Sequence, residues 1–179
     1  MAESFVNSVT RAVGVVTSSL AGSVGVQTNL ITGITTTNVT VGDIVDNTNF
    51  IAGTKVSSIG VNSTTCDRDS TNTTAATSQT VKYLGLTTAY TSATGTKSII
   101  IGGTFANNTP NEVELTVHLY DNSATTTPAI ISRVPVPQGS SFVLSDTGKT
   151  VLEGLDAIRV YCDSNNALDV SLSILKGVN

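Results

Sequence analysis

Between residues 113 and 120 apolar and polar side chains alternate without a break: Val113-Glu114-Leu115-Thr116-Val117-His118-Leu119-Tyr120. Successive side chains of an extended strand point to opposite faces, so Val113, Leu115, Val117 and Leu119 share one face. Glu114, Thr116, His118 and Tyr120 share the other. A chain written this way buries one face of a sheet and leaves the other wet. The pattern recurs in residues 156–163, where Ile158, Val160 and Cys162 oppose Arg159 and Tyr161. It recurs again in residues 169–175, where Val170, Leu172 and Ile174 form the apolar row. Residues 97–105 and 130–136 are further strand candidates, with shorter ones at 141–144 and 150–152.

Turn chemistry separates these runs. Asn107-Asn108-Thr109-Pro110-Asn111 and Asp121-Asn122-Ser123 are Asn/Asp clusters of the kind that close hairpins. Pro135-Val136-Pro137-Gln138-Gly139 ends a strand, because neither proline can donate to a ladder. Thr147-Gly148-Lys149 and Asp163-Ser164-Asn165-Asn166 are also turn-like. Short alternating strands at this spacing predict an all-β, antiparallel β-sandwich in the second half, jelly-roll or Ig-like.

The first half has a different texture. Residues 34–83 are dominated by Thr, Asn, Val and Gly, with short runs at 39–45 and 55–59. Between them, Asn47-Thr48-Asn49-Phe50-Ile51-Ala52-Gly53-Thr54 reads as a turn with one apolar anchor. The low-complexity stretch 71–80 reads as a surface loop or edge. Residues 4–20 carry both a helical spacing (Val9, Val13, Val16) and a local alternation (Val13, Val15). Their β-branched content and Gly14 favour strand, and no helix is expected.

Composition narrows the function classes. Hydrophobic residues make up 39% of the 179, but aromatics only 4% with no Trp, so the core must be built from Val, Ile, Leu and Ala. Charged residues are 12%, about half the usual share of roughly 25%. In their place stand Ser, Asn and 30 Thr, whose branched hydroxyl side chain suits a pleated, half-wet surface. The net charge is −4 and the cations are scattered singly, so no basic stripe marks a nucleic-acid partner. No apolar stretch is long enough to span a bilayer as a helix. The start, Met1-Ala2-Glu3-Ser4-Phe5, carries an acid where a secretory signal would be basic, so synthesis in the cytoplasm without export is expected. The Asn-x-Thr triplets at Asn38, Asn62 and Asn72 are accordingly read as compositional. Cys66 and Cys162 show no metal-ligand spacing and are read as reduced thiols, with one long-range disulfide as the alternative.

No catalytic, cofactor-binding or metal-ligating residue emerges from the motifs. His118 is the sole histidine and sits on the polar side of a strand, so it can build neither a zinc site nor an oriented triad by itself. Asp67-Arg68-Asp69-Ser70-Thr71-Asn72 is rich in oxygen ligands, but a calcium loop needs Gly sixth and Glu twelfth, where Asn72 and Ser78 stand. Asp43 and Asp46 follow ordinary turn chemistry. Glu112 and Glu114 share a strand face and read as solvent contacts rather than a glycosidase pair. Gly102-Gly103 follows Ile99-Ile100-Ile101 but lacks the remainder of a phosphate loop.

Two segments resemble tailed-phage virion proteins, particularly those of phages of marine bacteria and cyanobacteria. Thr37-Asn38-Val39-Thr40-Val41-Gly42-Asp43-Ile44-Val45, followed by Ala52-Gly53-Thr54-Lys55-Val56-Ser57-Ser58-Ile59-Gly60, resembles a small β module inserted in many tail and capsid proteins. Its pattern is a strand ending in Val-Gly-Asp, an Ala-Gly-Thr turn, a second strand, and a Thr-rich tail closing on an apolar strand, the place that residues 75–83 fill. Residues 86–176 resemble short phage structural proteins with a single β-sandwich. The matching features are Tyr90-Thr91-Ser92-Ala93-Thr94-Gly95, the turn Val136-Pro137-Gln138-Gly139-Ser140, the run from Val151 to Val160, and the closing alternating strand. The opening Met1-Ala2-Glu3-Ser4-Phe5-Val6 is similar as well. Where that group has Ala-Gly-Asp before Ile-x-Val, this chain has Glu153-Gly154-Leu155-Asp156 and keeps the aspartate.

The resemblance implies a discontinuous sandwich of residues 1–32 and 85–179, with a small β-hairpin or β-roll module inserted at 33–84. It also implies a non-enzymatic virion component, an accessory capsid decoration (cement) or neck/head–tail protein. The partners implied are copies of itself and major capsid, neck or tail proteins, without nucleic acid, membrane or cofactor. Edges rich in Thr and poor in Lys suit pairing with a neighbouring chain. The alternative is a receptor- or carbohydrate-binding module of a tail fibre or cell-surface protein. That would need an exposed aromatic platform drawn from Tyr83, Tyr90, Tyr120 and Tyr161.

Overall fold

The computed structural model describes residues 3–144 and 149–178. The first two residues of the Thr147-Gly148-Lys149 turn, and Met1-Ala2, lie outside this range. The described chain is all-β with antiparallel pairings and no helix. In chain order its strands are β1 (Ser4–Val13), β2 (Val16–Val24), β3 (Leu30–Thr32), β4 (Ile44–Asp46), β5 (Val56–Gly60), β6 (Ser63–Cys66), β7 (Ala76–Leu84) and β8 (Thr87–Thr91). There follow β9 (Lys97–Asn107), β10 (Val113–Tyr120), β11 (Ala129–Val136), β12 (Ser141–Leu144), β13 (Thr150–Leu152), β14 (Ala157–Cys162) and β15 (Leu168–Val178). They form two compact units, one of Met1–Val13, Thr87–Tyr161 and Asn166–Asn179, the other of Gly14–Leu86 with Cys162–Asn165.

The first unit is an antiparallel sandwich. One sheet runs β1-β15-β9-β12, with β13 beside β12 on the same edge of β9, and the other runs β11-β10-β14-β8. The apolar rows read from the sequence are the inward rows. Val113, Leu115 and Val117 of β10 are buried, as are Ile158 and Val160 of β14 and Val170, Leu172 and Ile174 of β15. Each such side chain contributes roughly 1.5–3 kcal/mol on burial. Hydroxyls join the sheets: the Ser8 hydroxyl donates to the Ala89 carbonyl (2.9 Å), and Tyr90 and Ser98 share a hydrogen bond of 2.8 Å. In β9 the inward parity changes from Ser98 and Ile100 to Gly103 and Phe105, across a register shift against β15. The extra residue of this bulge is Ile101, and Gly102-Gly103 directly follows it. A Cβ at Gly103 would lie 2.8 Å from the Leu172 side chain, so the glycine admits Leu172 to the core.

The second unit is a six-stranded sheet in the order β4-β7-β2-β3-β6-β5, and it closes on itself. Ile44 bridges Lys55, and backbone bonds run from Gly42 N to Val56 O (2.8 Å), Val56 N to Asp43 O (2.9 Å) and Val45 N to Thr54 O (2.8 Å). The result is a small barrel around Val24, Ile31, Ile34, Val39, Val45, Phe50, Val56, Cys66, Val81 and Tyr83. Phe50 is the apolar anchor of the 47–54 turn. Tyr83 is fully buried, its hydroxyl meeting Thr64 Oγ1 at 2.8 Å.

Three expectations change in detail. The module starts at Gly14 rather than 33, because β2 is needed between β7 and β3 to complete the ring. The stretch 71–80 is not loop alone, since residues 76–80 begin β7; they pair with β2 on one side only and so form a strand edge, while β4 joins β7 at Lys82–Leu84. Its polar outward residues concealed the inward row that continues through Val81 and Tyr83. Of the 39–45 run only Ile44 and Val45 lie in a strand, β4. Residues 36–43 make two successive turns, with Asn38 and Gly42 at positive φ (62° and 96°).

Candidate interaction surface

β1 is built inside out. Its pairing with β15 sets Ser8 opposite Leu172 and Thr10 opposite Val170, both inward residues, so Ser8 and Thr10 turn inward as well. Their hydroxyls donate to the Ala89 carbonyl at 2.9 and 3.4 Å. Phe5 and Val9 consequently face solvent, 77% and 66% exposed. A one-residue slip would exchange the two faces, but β15 fixes the register.

Phe5 and Val9 do not stand alone. The pairings align Phe5, Leu175, Ile99 and Val151 in one row across β1, β15, β9 and β13. A parallel row holds Val9, Ser171, Thr104 and Val143 across β1, β15, β9 and β12. Ile101 projects between them, and Val143 and Val151 are 56% and 50% exposed. Neither row carries an ionisable side chain. Two ion pairs lie beyond the rows: Arg11–Asp169 at 3.7 Å beyond one, and Lys97–Glu153 at 3.3 Å beyond the other. A solvated sheet face is ordinarily polar and charged, and a continuous apolar and hydroxyl face marks an interaction surface.

The individually considered residues fall elsewhere. His118 lies edge-on to Tyr161 (ring centroids 5.2 Å), with Nδ1 3.1 Å from the Thr127 carbonyl oxygen. Arg159 stacks over Tyr120 at 3.7 Å. These four half-buried side chains form two cross-strand pairs on the polar side of β10 and β14. Tyr90 packs beneath Lys176, and Tyr83 is inside the barrel. Glu114 takes two hydrogen bonds from Arg133 (2.9 and 3.1 Å), while Glu112 is exposed and apart. Asp67 Oδ1 accepts from Lys55 N, and Asp46 pairs with Lys82 at 3.7 Å. Among the described residues no group of three or more His, Cys, Asp or Glu is placed to hold a metal ion.

Two buried aspartates anchor turns. Asp43 accepts from Thr40 N (2.8 Å) and Thr40 Oγ1 (2.7 Å), tying the Val-Gly-Asp turn. Asp156 accepts from Asn122 N and Glu153 N, both at 2.9 Å. The Thr54 hydroxyl donates to the Ile51 carbonyl at 2.6 Å, and Gly53 takes φ of 76° in the Ala-Gly-Thr turn. Both cysteines are free and buried, and burial raises each thiol to about 12.

No family model, curated protein or solved structure matches the chain. The geometry alone therefore identifies the surface. Reading from sequence missed it, since alternation identifies β1 as a strand but leaves open which of its two faces turns inward.

Proposed function

We propose that this chain is a non-enzymatic structural component of a tailed-phage virion, an accessory capsid decoration or neck/head–tail protein. It acts by multivalent contacts with copies of itself and with other virion proteins. The observation that carries the contact half of this reading is the outer face of the sheet formed by β1, β15, β9, β12 and β13, with Phe5, Val9, Ile101, Val143 and Val151 exposed and no charge in either row. A low-charge, Thr-rich surface also limits repulsion between crowded copies. The virion half is supported by the resemblance of the Val-Gly-Asp and Ala-Gly-Thr segments and of the Tyr90–Gly95, Pro137–Gly139 and 151–160 segments to phage proteins. The test is mass spectrometry and cryo-electron microscopy of purified particles from a lysate carrying this gene. The chain is expected at stoichiometric copy number, in a ring for a neck protein or over the shell for a decoration. Its absence from particles would overturn the proposal.

One observation favours a second reading, a carbohydrate- or receptor-binding module. Tyr120, Arg159, His118 and Tyr161 place two half-exposed tyrosines on neighbouring strands. Arg159 already occupies one face of Tyr120, which leaves less ring for a sugar to stack on. Loss of glycan or host-cell binding in Tyr120→Ala, with the fold intact, would support this reading over the first.

A further inference from the structure

We propose that two copies of this chain pair through β1, antiparallel and edge to edge, about a two-fold axis at Asn7. This rests on the reading of the chain as a self-assembling structural component and names the surface and the partner.

β1 is the terminal strand of its sheet, so its outer backbone edge is open to another strand. Such edges are normally blunted by proline, lysine or a bulge, and residues 3–11 contain neither proline nor lysine. The irregularity comes only at the end, where Ala12 takes φ of 59° and the register against β15 shifts between Thr10 and Val13. The straight, usable edge is therefore centred on Asn7.

The exposed side of this edge reads Glu3, Phe5, Asn7, Val9, Arg11. In an antiparallel pair about Asn7, a residue a given distance before Asn7 faces the residue the same distance after it in the other copy. Glu3 then meets the partner's Arg11, Phe5 meets the partner's Val9, and Asn7 meets the partner's Asn7. Opposite charges, apolar side chains and amides each find their like or their complement, and all lie on one face. Arg11 is free to reach: its side chain is 83% exposed despite the 3.7 Å contact with Asp169. On the inner face Val6 meets the partner's Ser8, and Ser4 meets the partner's Thr10. A parallel pairing would set Glu3 against Glu3 and Arg11 against Arg11, so the charges select the antiparallel arrangement. Isologous contacts of this kind are the usual form of a two-fold assembly. Sheet β1-β15-β9 would then run unbroken from one copy into the next. The apolar rows that start at Phe5 and Val9 would continue across the join.

Cysteine substitution tests the pairing and its register. Directly opposed residues of antiparallel strands have Cα atoms about 4.5–5.5 Å apart, inside the range of about 4.4–6.8 Å that a disulfide accepts. Asn7→Cys is therefore expected to give a disulfide-linked dimer on mild oxidation, reversed by reductant. Phe5→Cys alone places its two thiols about 13 Å apart along the strands and is expected to stay monomeric. An equal mixture of Phe5→Cys and Val9→Cys chains is expected to cross-link again. Cys66 and Cys162 are buried and contribute no background. All three positions are solvent-facing, and an unchanged circular dichroism spectrum verifies the fold. Failure of Asn7→Cys to cross-link, or equal cross-linking of Phe5→Cys alone, would overturn the pairing. Either result in a chain still found in particles leaves the structural reading standing. Particles that lack the chain overturn that reading, whatever the cross-linking shows.

Discussion

Asp43 shows how a residue quoted for its motif acquires a physical role. Its carboxylate is buried, yet it is satisfied by the backbone and hydroxyl of Thr40. Such an aspartate fastens a turn, and Asp156 does the same between Glu153 and Asn122. Both positions were legible as turn residues, because an Asp placed after Gly or before a strand bonds to nearby backbone. Their burial was not legible, since it depends on strands distant in sequence. Cys66 and Tyr83 face the same barrel core, where burial raises each group to about 12, assisted at Cys66 by the charge of Asp67 and opposed at Tyr83 by the Thr64 hydrogen bond. The unfolded chain releases these protons near the ordinary values of 9.0 and 10.0, and the folded chain only near 12. Stability is therefore complete below about pH 9 and falls as pH rises toward 12, by at most about 1.4 kcal/mol per pH unit for each group. Urea unfolding at pH 8 and pH 10.5 is expected to show a lower midpoint at the higher pH. An equal midpoint would contradict the burial of these groups.

At the scale of elements, the second half of the chain was the legible half. β10, β12 and β13 coincide with the strands read from alternation, and β9, β11, β14 and β15 differ only at their ends. There the inward residues are large and apolar, so periodicity and packing agree. β1 and β7 were harder, for opposite reasons. β7 hides a short inward row behind Thr, Ser and Gln, while β1 turns its largest side chains outward. What fixes β1 is pairing with β15, a strand more than 150 residues away, so no local window can reveal it. The two faces are expected to respond differently to substitution in dilute solution. Val9→Thr should change unfolding free energy by less than about 0.5 kcal/mol, and Leu172→Ala should cost about 2–5 kcal/mol. A loss above about 2 kcal/mol for Val9→Thr would place that face in a core.

For the whole molecule, a sandwich and a barrel are threaded on one chain, and the sandwich presents an apolar outer sheet face beside an open edge. An all-β class was readable from composition and alternation, whereas barrel closure was not, because it rests on the Ile44–Lys55 bridge and three backbone bonds between short segments. The central claim is that β1 and its outer face are covered by neighbouring chains in the working assembly. Backbone amide hydrogen exchange of residues 4–11 measures this directly, comparing the dilute chain with the chain in purified particles. Exchange there is expected to slow by at least about tenfold on assembly, since edge amides gain partners and lose water. Equal exchange of residues 4–11 in both states would contradict the account.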